Sequence, residues 1–147
     1  MIIEKNKEEF LFSTDKNKLD ICVIHQYLST VSYWSRGIPI EVVKSAIEGS
    51  FCFAVYHQNA QIAFGRAITD FATFAYLADV FVLETHQGQG VGIWMMECIM
   101  EYLHSLKLRR LNLATRDAHT LYEKFGFKAL EKPEIYMEKV NFMKYEL

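Results

Sequence analysis

Residues 80–92 have the sequence Val-Phe-Val-Leu-Glu-Thr-His-Gln-Gly-Gln-Gly-Val-Gly, and this stretch decides the predicted fold. Its apolar first part predicts a buried strand, the glycines predict a turn, and the residues from Val91 onward predict a helix. Glycine lets a ligand approach the backbone because no Cβ intervenes. The first N–H groups of a helix lack intrahelical partners and carry partial positive charge. The strand–turn–helix segment therefore predicts an anion site, with phosphate as the expected occupant.

Two common nucleotide-binding motifs do not match this segment. A P-loop requires Gly-x4-Gly-Lys-Ser/Thr, but Ile93 and Trp94 occupy the positions where glycine and lysine should follow Gly88. A dinucleotide fingerprint requires Gly-x-Gly-x-x-Gly and an acidic residue about 20 positions later. Ile93 replaces its third glycine, and Leu108 and Arg109 lie where the acid should be. The predicted phosphate ligand is therefore of another kind.

Composition limits the class of protein. The 147 residues, of which 51% are apolar, predict a single folded domain spanning residues 1–147. A net charge of -2 provides no positive excess for nucleic acid, so none is expected as a partner. The three separated cysteines, Cys22, Cys52 and Cys98, predict reduced thiols and a cytoplasmic location. Since signal-peptide patterns, long apolar runs and histidine ligand spacing are lacking, neither membrane nor metal is expected.

Hydrophobic periodicity predicts the element order β-α-α-β-β-β-α-β-α-β-β. The predicted strands are 10–12, 51–56, 61–69, 74–83, 111–114, 128–130 and 136–140. The predicted helices run from an Asp15 cap to Val31, from Pro39 to Glu48, over 91–106 and over 118–125. This order predicts a mixed α/β sheet with helices on its faces.

Two motifs in this frame resemble the GNAT acetyltransferase superfamily. Residues 87–92 match its motif A, Gln/Arg-x-x-Gly-x-Gly/Ala, and residues 118–127 match its motif B, Ala-x-x-Leu-Tyr-x-x-x-Gly-Phe. Residues 32–34, Ser-Tyr-Trp, also resemble a small bacterial branch of the superfamily. The resemblance implies a GNAT-like α/β fold with a mostly antiparallel central sheet and helices on both faces. Two central strands, ending near Leu83 and Ala114, should splay apart.

The same resemblance implies that acetyl-CoA is the acyl donor, with no metal. In the family, the pyrophosphate binds backbone N–H groups of the loop, which here belong to Gln87, Gly88, Gln89, Gly90, Val91 and Gly92. The pantetheine arm pairs like a strand with the backbone of Val80, Phe81 and Val82. Thr115 replaces an asparagine of motif B, so one hydrogen bond to this arm is expected to differ.

The implied reaction is direct attack of an amine on the thioester within a ternary complex. Tyr122 lies at the position of the family tyrosine that protonates the leaving thiolate. A phenol with an ordinary pKa near 10 remains protonated at neutral pH and can serve as the acid. Asn112 occupies the position where many peptide-acetylating members carry a glutamate, so N-terminal protein acetylation is not favoured.

The general base is left open between several groups. Asp79 is the candidate, because it is an acidic residue between Leu77 and Phe81 on one face of an otherwise apolar predicted strand. The alternatives for Asp79 are an ion pair with an arginine such as Arg66 or the capping of a loop. A water-mediated base, or no base, is the remaining possibility.

The acceptor site should involve the loop between the first two helices. This loop holds Tyr33, Trp34 and Arg36, while Phe74 is expected from the hairpin side. Arg116 follows the splayed strand, where it binds a substrate carboxylate or a CoA phosphate unless it forms a surface turn with an aspartate. The expected partner is a small-molecule amine, and a homodimer is compatible with the sequence. A protein lysine acetyltransferase and a non-catalytic acyl-CoA sensor are the rival interpretations.

Overall fold

The computed structural model describes residues 1–145 and contains one six-stranded sheet whose strands follow chain order. The strands are β1 (Glu4–Lys7), β2 (Phe10–Ser13), β3 (Phe51–His57), β4 (Ala60–Thr69), β5 (Phe74–Val82) and β6 (Arg110–Leu113). The helices are α1 (Ile21–Gln26), α2 (Ile40–Glu48), α3 (Val91–Ser105) and α4 (His119–Glu123). Neighbouring strands are antiparallel from β1 to β5, and β5 and β6 are parallel. The predicted mixed, mostly antiparallel sheet is confirmed.

Apolar side chains form a separate core on each face of the sheet. Helix α3 covers one face, where the core contains Phe12, Phe53, Val55, Leu77, Met95, Ile99 and Leu103. Helices α1 and α2 cover the other, where the core contains Ile24, Leu28, Val43, Ile47, Cys52, Phe64 and Phe81. Because β3 is covered on both faces, it is apolar along nearly its whole length rather than alternating.

The predicted first helix is wrong in its extent. Asp15 accepts a hydrogen bond from the Asn17 N–H and caps only a short 3-10 turn, Lys16–Lys18. Asp20 caps α1 instead, since its carboxylate accepts the Val23 N–H at 3.2 Å. After α1 the chain widens into a π turn, Tyr27–Val31. The wider turn breaks the helical periodicity, so Val31 is exposed rather than aligned with the buried face.

Two predicted C-terminal strands are absent from the described residues. Residues 128–130 and 136–140 have no strand pairing, and Pro133–Ile135 forms a 3-10 turn between them. Their apolar side chains, including Leu130, Met137 and Val140, are exposed. Alternating apolar residues favour a strand only where one face is buried, and this segment lacks such a face. By contrast, β1 is polar and was not predicted; its pairing with β2 holds it at the sheet edge.

No helix within residues 1–145 is both long enough and apolar enough to span a bilayer.

Candidate active site

A cleft lies between β5 and β6, which run side by side only from the pair Phe74–Arg110 to the pair Leu77–Leu113. Strand β6 then ends, whereas β5 continues to Val82. The segments that contain β5 and β6 then diverge around a cavity of about 590 Å³. Its walls are formed by Tyr33, Trp34, residues 76–80, residues 113–118 and Tyr122. This geometry is the splay of central strands that the family resemblance implied.

A β-bulge lies in β5 at the cleft. The pairing between β4 and β5 passes from Arg66–Ala78 to Phe64–Phe81, so two residues of β5 oppose Gly65 alone. Asp79 has a left-handed φ of 55°, which aspartate tolerates better than most residues. Gly65 is required opposite the bulge, because a Cβ there would collide with the Phe53 ring. Phe53 therefore excludes a larger residue at position 65, and Asp79 carries the left-handed backbone of the bulge.

The bulge also reverses the alternation of side chains along β5. Leu77 belongs to the core under α3, whereas Phe81 belongs to the core under α1 and α2. In a regular strand, residues four positions apart lie on the same face. The prediction that Asp79 lies between Leu77 and Phe81 on one face is therefore wrong, since the inserted residue shifts the register.

Both carboxylate oxygens of Asp79 are engaged. Arg66 Nε donates to Asp79 Oδ2 at 2.7 Å, and Trp34 Nε1 donates to Asp79 Oδ1 at 2.8 Å. Arg66 Nη1 also donates to Ser50 Oγ at 2.9 Å. The side chains of Arg66 and Asp79 are only 17% and 9% exposed. The ion pair with Arg66 that the sequence offered as an alternative is present, and it compensates the cost of burying the carboxylate.

Tyr122 is carried by α4 and lies in the wall of the cleft. Only 8% of the residue is exposed. Its ring meets the Phe127 ring edge to face, with 6.0 Å between centroids. Burial, with smaller contributions from the nearby Tyr33 and Asp117, raises the pKa of the phenol to about 12. At neutral pH this hydroxyl is therefore a protonated donor at the wall of the cleft.

Tyr33 and Arg116 meet at the cleft and contact each other in two ways. The backbone N–H of Arg116 donates to the Tyr33 hydroxyl at 2.9 Å. The Arg116 guanidinium carbon lies 3.8 Å from the centre of the Tyr33 ring, within the range of a cation–π contact. Tyr33 also meets Trp34 edge to face at 5.0 Å. The loop between α1 and α2 is thereby joined to the segment after β6.

The glycine loop forms the start of α3. Gly88 and Gly90 have φ values of 79° and 80°, and an added Cβ at either position would meet no atom within 4 Å. Open space beside a left-handed glycine backbone fits a bulky anion that approaches the N–H groups. The Gln87 side chain donates to the Val82 carbonyl at 2.9 Å and ties the loop to the end of β5. The residues present therefore fit a cosubstrate that carries phosphate.

The structure brings seven of the predicted site residues together in one cavity. The same cavity is lined by Tyr33, Trp34, Asp79, Val80, Thr115, Arg116 and Tyr122. The Phe81 side chain points away into the α1 and α2 core, where it stacks on Tyr27 at 4.0 Å, so only its backbone could face a ligand. Val91 is also buried by its side chain. Its position at the first turn of α3 leaves the backbone as its contribution.

Two predicted acceptor residues lie elsewhere. Phe74 is the first residue of β5, opposite Arg110, at the end of the strand away from the bulge, and it does not line the cleft. Arg36 borders a neighbouring cavity of about 390 Å³, which shares Tyr33 and Trp34 with the cleft. The cleft also contains Asp117, which the sequence prediction did not select.

Metal ligands were not expected from the sequence. Within residues 1–145, no cluster of three or more histidine, cysteine, aspartate or glutamate side chains has a geometry that could hold a metal ion.

Comparisons with known proteins agree with this architecture. The family model of the acetyltransferase (GNAT) domain matches residues 48–129. A Gibberella zeae protein, named as an acetyltransferase by inference, is 32% identical over 136 residues, covering 79% of this chain and 77% of that protein.

Solved structures have the same fold. A crystal structure from Xanthomonas campestris pv. campestris, assigned to the GNAT family as an acetyltransferase, is 44% identical with a TM-score of 0.86 and covers 89% of this chain and 92% of that chain. The Mycobacterium tuberculosis protein Rv2747, solved in complex with CoA and NLQ, has a TM-score of 0.67 at 15% identity, covering 82% of this chain and 72% of that chain. At this low identity, the second likeness concerns the fold alone.

The sheet that opens between β5 and β6, the glycine loop and the buried Tyr122 together define an acyltransferase fold. The chain belongs to the GNAT family of acetyltransferases.

Proposed function

We propose that the protein transfers the acetyl group of acetyl-CoA to a primary amine of a small molecule by direct attack in a ternary complex. The observation that carries the proposal is the cleft between β5 and β6. It is lined by the protonated phenol of Tyr122, and β5 leads from it to the glycine loop. A donor held along β5 and an acceptor entering beside Trp34 would meet at Tyr122.

The cosubstrate would be held by backbone groups. The N–H groups of residues 87–92 would bind the pyrophosphate, because the loop is open beside Gly88 and Gly90. The backbone of residues 80–82 would pair with the pantetheine arm, and Thr115, which lines the cleft, would contact this arm. When bound, the thioester supplies the activated acetyl group. A CoA complex is known for the Mycobacterium tuberculosis neighbour, which supports the same ligand here.

The reaction requires a balanced movement of protons. The amine nitrogen forms a bond to the thioester carbon, the carbon–sulfur bond breaks, and the thiolate takes the Tyr122 proton. The nitrogen loses its extra proton to a base, for which Asp79 and water are the candidates. Tyr122 suits the acid role because burial keeps its phenol protonated across the neutral range.

The size and walls of the cleft favour a small acceptor. A volume of about 590 Å³ is within the range of small-molecule sites. Tyr33, Trp34 and Tyr76 offer aromatic surface, and Asp117 supplies a carboxylate that would attract an ammonium group. Arg116 is a candidate contact for an anionic group of the acceptor or of CoA.

Two further proposals concern the setting of the protein. Cys22, Cys52 and Cys98 are all free thiols, which supports a reducing, cytoplasmic location. A homodimer remains a proposal from the sequence, to be tested by the molar mass in solution.

The function can be tested with a panel of amines. Acetyl-CoA would be incubated with spermidine, tyramine, histamine, glucosamine, L-lysine or a lysine-containing peptide, and CoA release would be followed with a thiol reagent. Release with at least one small amine, together with its N-acetyl product by mass spectrometry, is the expected result. Release with the peptide alone would favour a protein acetyltransferase. Tight acetyl-CoA binding without release for any amine would favour a sensor.

A further inference from the structure

Arg66 is a buried cation that no step of the proposed reaction uses. It lies on β4, outside both sequence motifs, and 17% of its side chain is exposed. Burying a guanidinium costs free energy unless its donors find acceptors. Its Nε and Nη1 atoms donate to Asp79 Oδ2 and to Ser50 Oγ, at 2.7 and 2.9 Å. This arrangement fixes the Asp79 carboxylate in one orientation.

The second carboxylate oxygen of Asp79 contacts the loop between α1 and α2, which borders the acceptor side of the cleft. Asp79 Oδ1 accepts a hydrogen bond from Trp34 Nε1 at 2.8 Å, across 45 positions of sequence. Trp34 belongs to the loop between α1 and α2 and is 40% exposed, so its indole is not fixed by burial. Besides this hydrogen bond, the Trp34 ring packs edge to face against the Tyr33 ring. The carboxylate is therefore the polar anchor of an otherwise exposed ring.

We propose that Arg66 is a positioning residue of the acceptor site, which acts through Asp79 to hold the Trp34 indole as a wall of the cleft. The proposal rests on the function proposed above, because Trp34 matters to turnover only if the cleft receives an acceptor. Arg66 keeps one oxygen of Asp79 occupied, so the other oxygen remains directed at Trp34. The ionised carboxylate of Asp79 also forms a stronger hydrogen bond with the indole N–H than a neutral group would.

This role competes with the use of Asp79 as a general base. Both oxygens of the Asp79 carboxylate already accept one hydrogen bond each, from Arg66 Nε and from Trp34 Nε1, so an incoming amine would compete with these two donors for the carboxylate. An anchor and a base also tolerate different replacements. An amide oxygen can still accept the Trp34 hydrogen bond, but an amide cannot serve as a base.

The first test observes Trp34 directly and needs no acceptor. The chain has two tryptophans, so Trp94→Phe leaves Trp34 as the only indole. In that background, Arg66→Met should shift the Trp34 emission to the red and increase its quenching by acrylamide. The control is Lys44→Met, which removes the cation of the exposed Lys44–Glu41 pair and should change neither signal. Unchanged Trp34 emission in folded Arg66→Met protein would overturn the proposal.

The second test uses the panel amine that wild-type protein turns over fastest. Arg66→Met should raise the KM for this amine about tenfold, the value of one lost hydrogen bond to a charged group, and leave the KM for acetyl-CoA unchanged. Trp34→Phe should have a similar effect without unpairing any buried charge. It therefore tests the same link even if Arg66→Met folds poorly.

A double variant separates anchoring from proton transfer. Arg66→Met/Asp79→Asn has no unpaired charge and keeps an oxygen that can accept the Trp34 hydrogen bond. The anchoring role predicts that the double variant recovers most of the loss seen in Arg66→Met. A double variant less active than Arg66→Met, with the acidic limb of its pH–rate profile abolished, would instead assign Asp79 as the base and overturn the anchoring role. Failure of every amine counts against the proposed function, while the emission test still decides on Arg66.

Discussion

The glycine loop, referred to below as the loop end, and the cleft beside Trp34, the acceptor end, are built in different ways. The loop end consists of backbone from one continuous segment, residues 87–92, with left-handed glycines that leave space for a ligand. The acceptor end consists of side chains from distant segments, with Trp34, Arg66 and Asp79 joined by hydrogen bonds. A binding site made of backbone groups can be recognised from a short sequence motif, because residues adjacent in sequence supply all of its groups. A side-chain site of this kind exists only after the sheet and its helices have assembled.

The largest effect is expected at Tyr122, where the two ends meet. Tyr122→Phe should lower kcat by about 10²–10⁴-fold, because the leaving thiolate loses its acid. The dissociation constant of acetyl-CoA should remain near the wild-type value, since the backbone loop is intact. Tyr76→Phe is the matched control, because Tyr76 lines the same cavity and should retain activity. Equal kcat for Tyr122→Phe and wild type, with chemistry rate-limiting, would remove Tyr122 from the acid role.

The buried ion pair at the acceptor end should contribute more to stability than an exposed ion pair does. Arg66→Met leaves the Asp79 carboxylate buried without its cation, and the free energy of unfolding should fall by about 3 kcal/mol. Lys44→Met breaks an exposed pair on α2 and should cost at most about 0.5 kcal/mol. Urea denaturation of both variants measures the difference. Similar values for the two would show that the Arg66–Asp79 pair contributes no more than a surface contact.

The loop end should respond to added charge. Gly90→Asp places a carboxylate beside the expected pyrophosphate and should weaken acetyl-CoA binding at least about tenfold. Gly126→Asp is a matched control, because Gly126 also has a positive φ, 90°, and open space but lies after α4. Both variants should lose some stability from the left-handed backbone. Only Gly90→Asp should lose the rise in Tm with acetyl-CoA, and an equal loss in Gly126→Asp would place the pyrophosphate elsewhere.

The smallest effect concerns the alkaline limb of the pH–rate profile. Tyr122 can act as the acid only when it is protonated, and burial raises its pKa to about 12. Loss of the Tyr122 proton should therefore not reduce kcat at saturating substrates until the pH exceeds about 11. Tyr33→Phe removes one neighbour that raises this pKa, so any alkaline limb should move to lower pH. A wild-type limb near the ordinary tyrosine pKa of about 10 would contradict the burial account.

The sequence predicted the parts of the molecule that depend on local pattern. Strands β3, β4 and β5, the glycine loop and α3 all follow from apolar runs, glycines and a continuous helical stripe. The position of Tyr122 in the cleft followed from the family motif. These features require only neighbours in sequence, or an alignment to a known pattern.

Other features could not be predicted because they depend on distant partners. Arg66 and Asp79 meet across the β4–β5 hairpin, and Trp34 reaches Asp79 from a loop 45 positions away. The bulge at Asp79 gave one signal, an acidic residue in an apolar strand, but its effect on side-chain alternation required the pairing register. The prediction of the two C-terminal strands was wrong for a similar reason. The alternation of apolar residues in 136–140 does not show whether a buried face is available for them to pack against.

The central claim is direct transfer of acetyl from acetyl-CoA to an amine, and intact-mass spectrometry tests it most directly. Protein mixed with acetyl-CoA alone should keep its unmodified mass, because no enzyme group carries the acetyl. After the fastest panel amine is added, CoA and the N-acetyl amine should appear in equal amounts. An acetylated protein that forms without amine and passes its acetyl group to the amine when it is added would contradict the account.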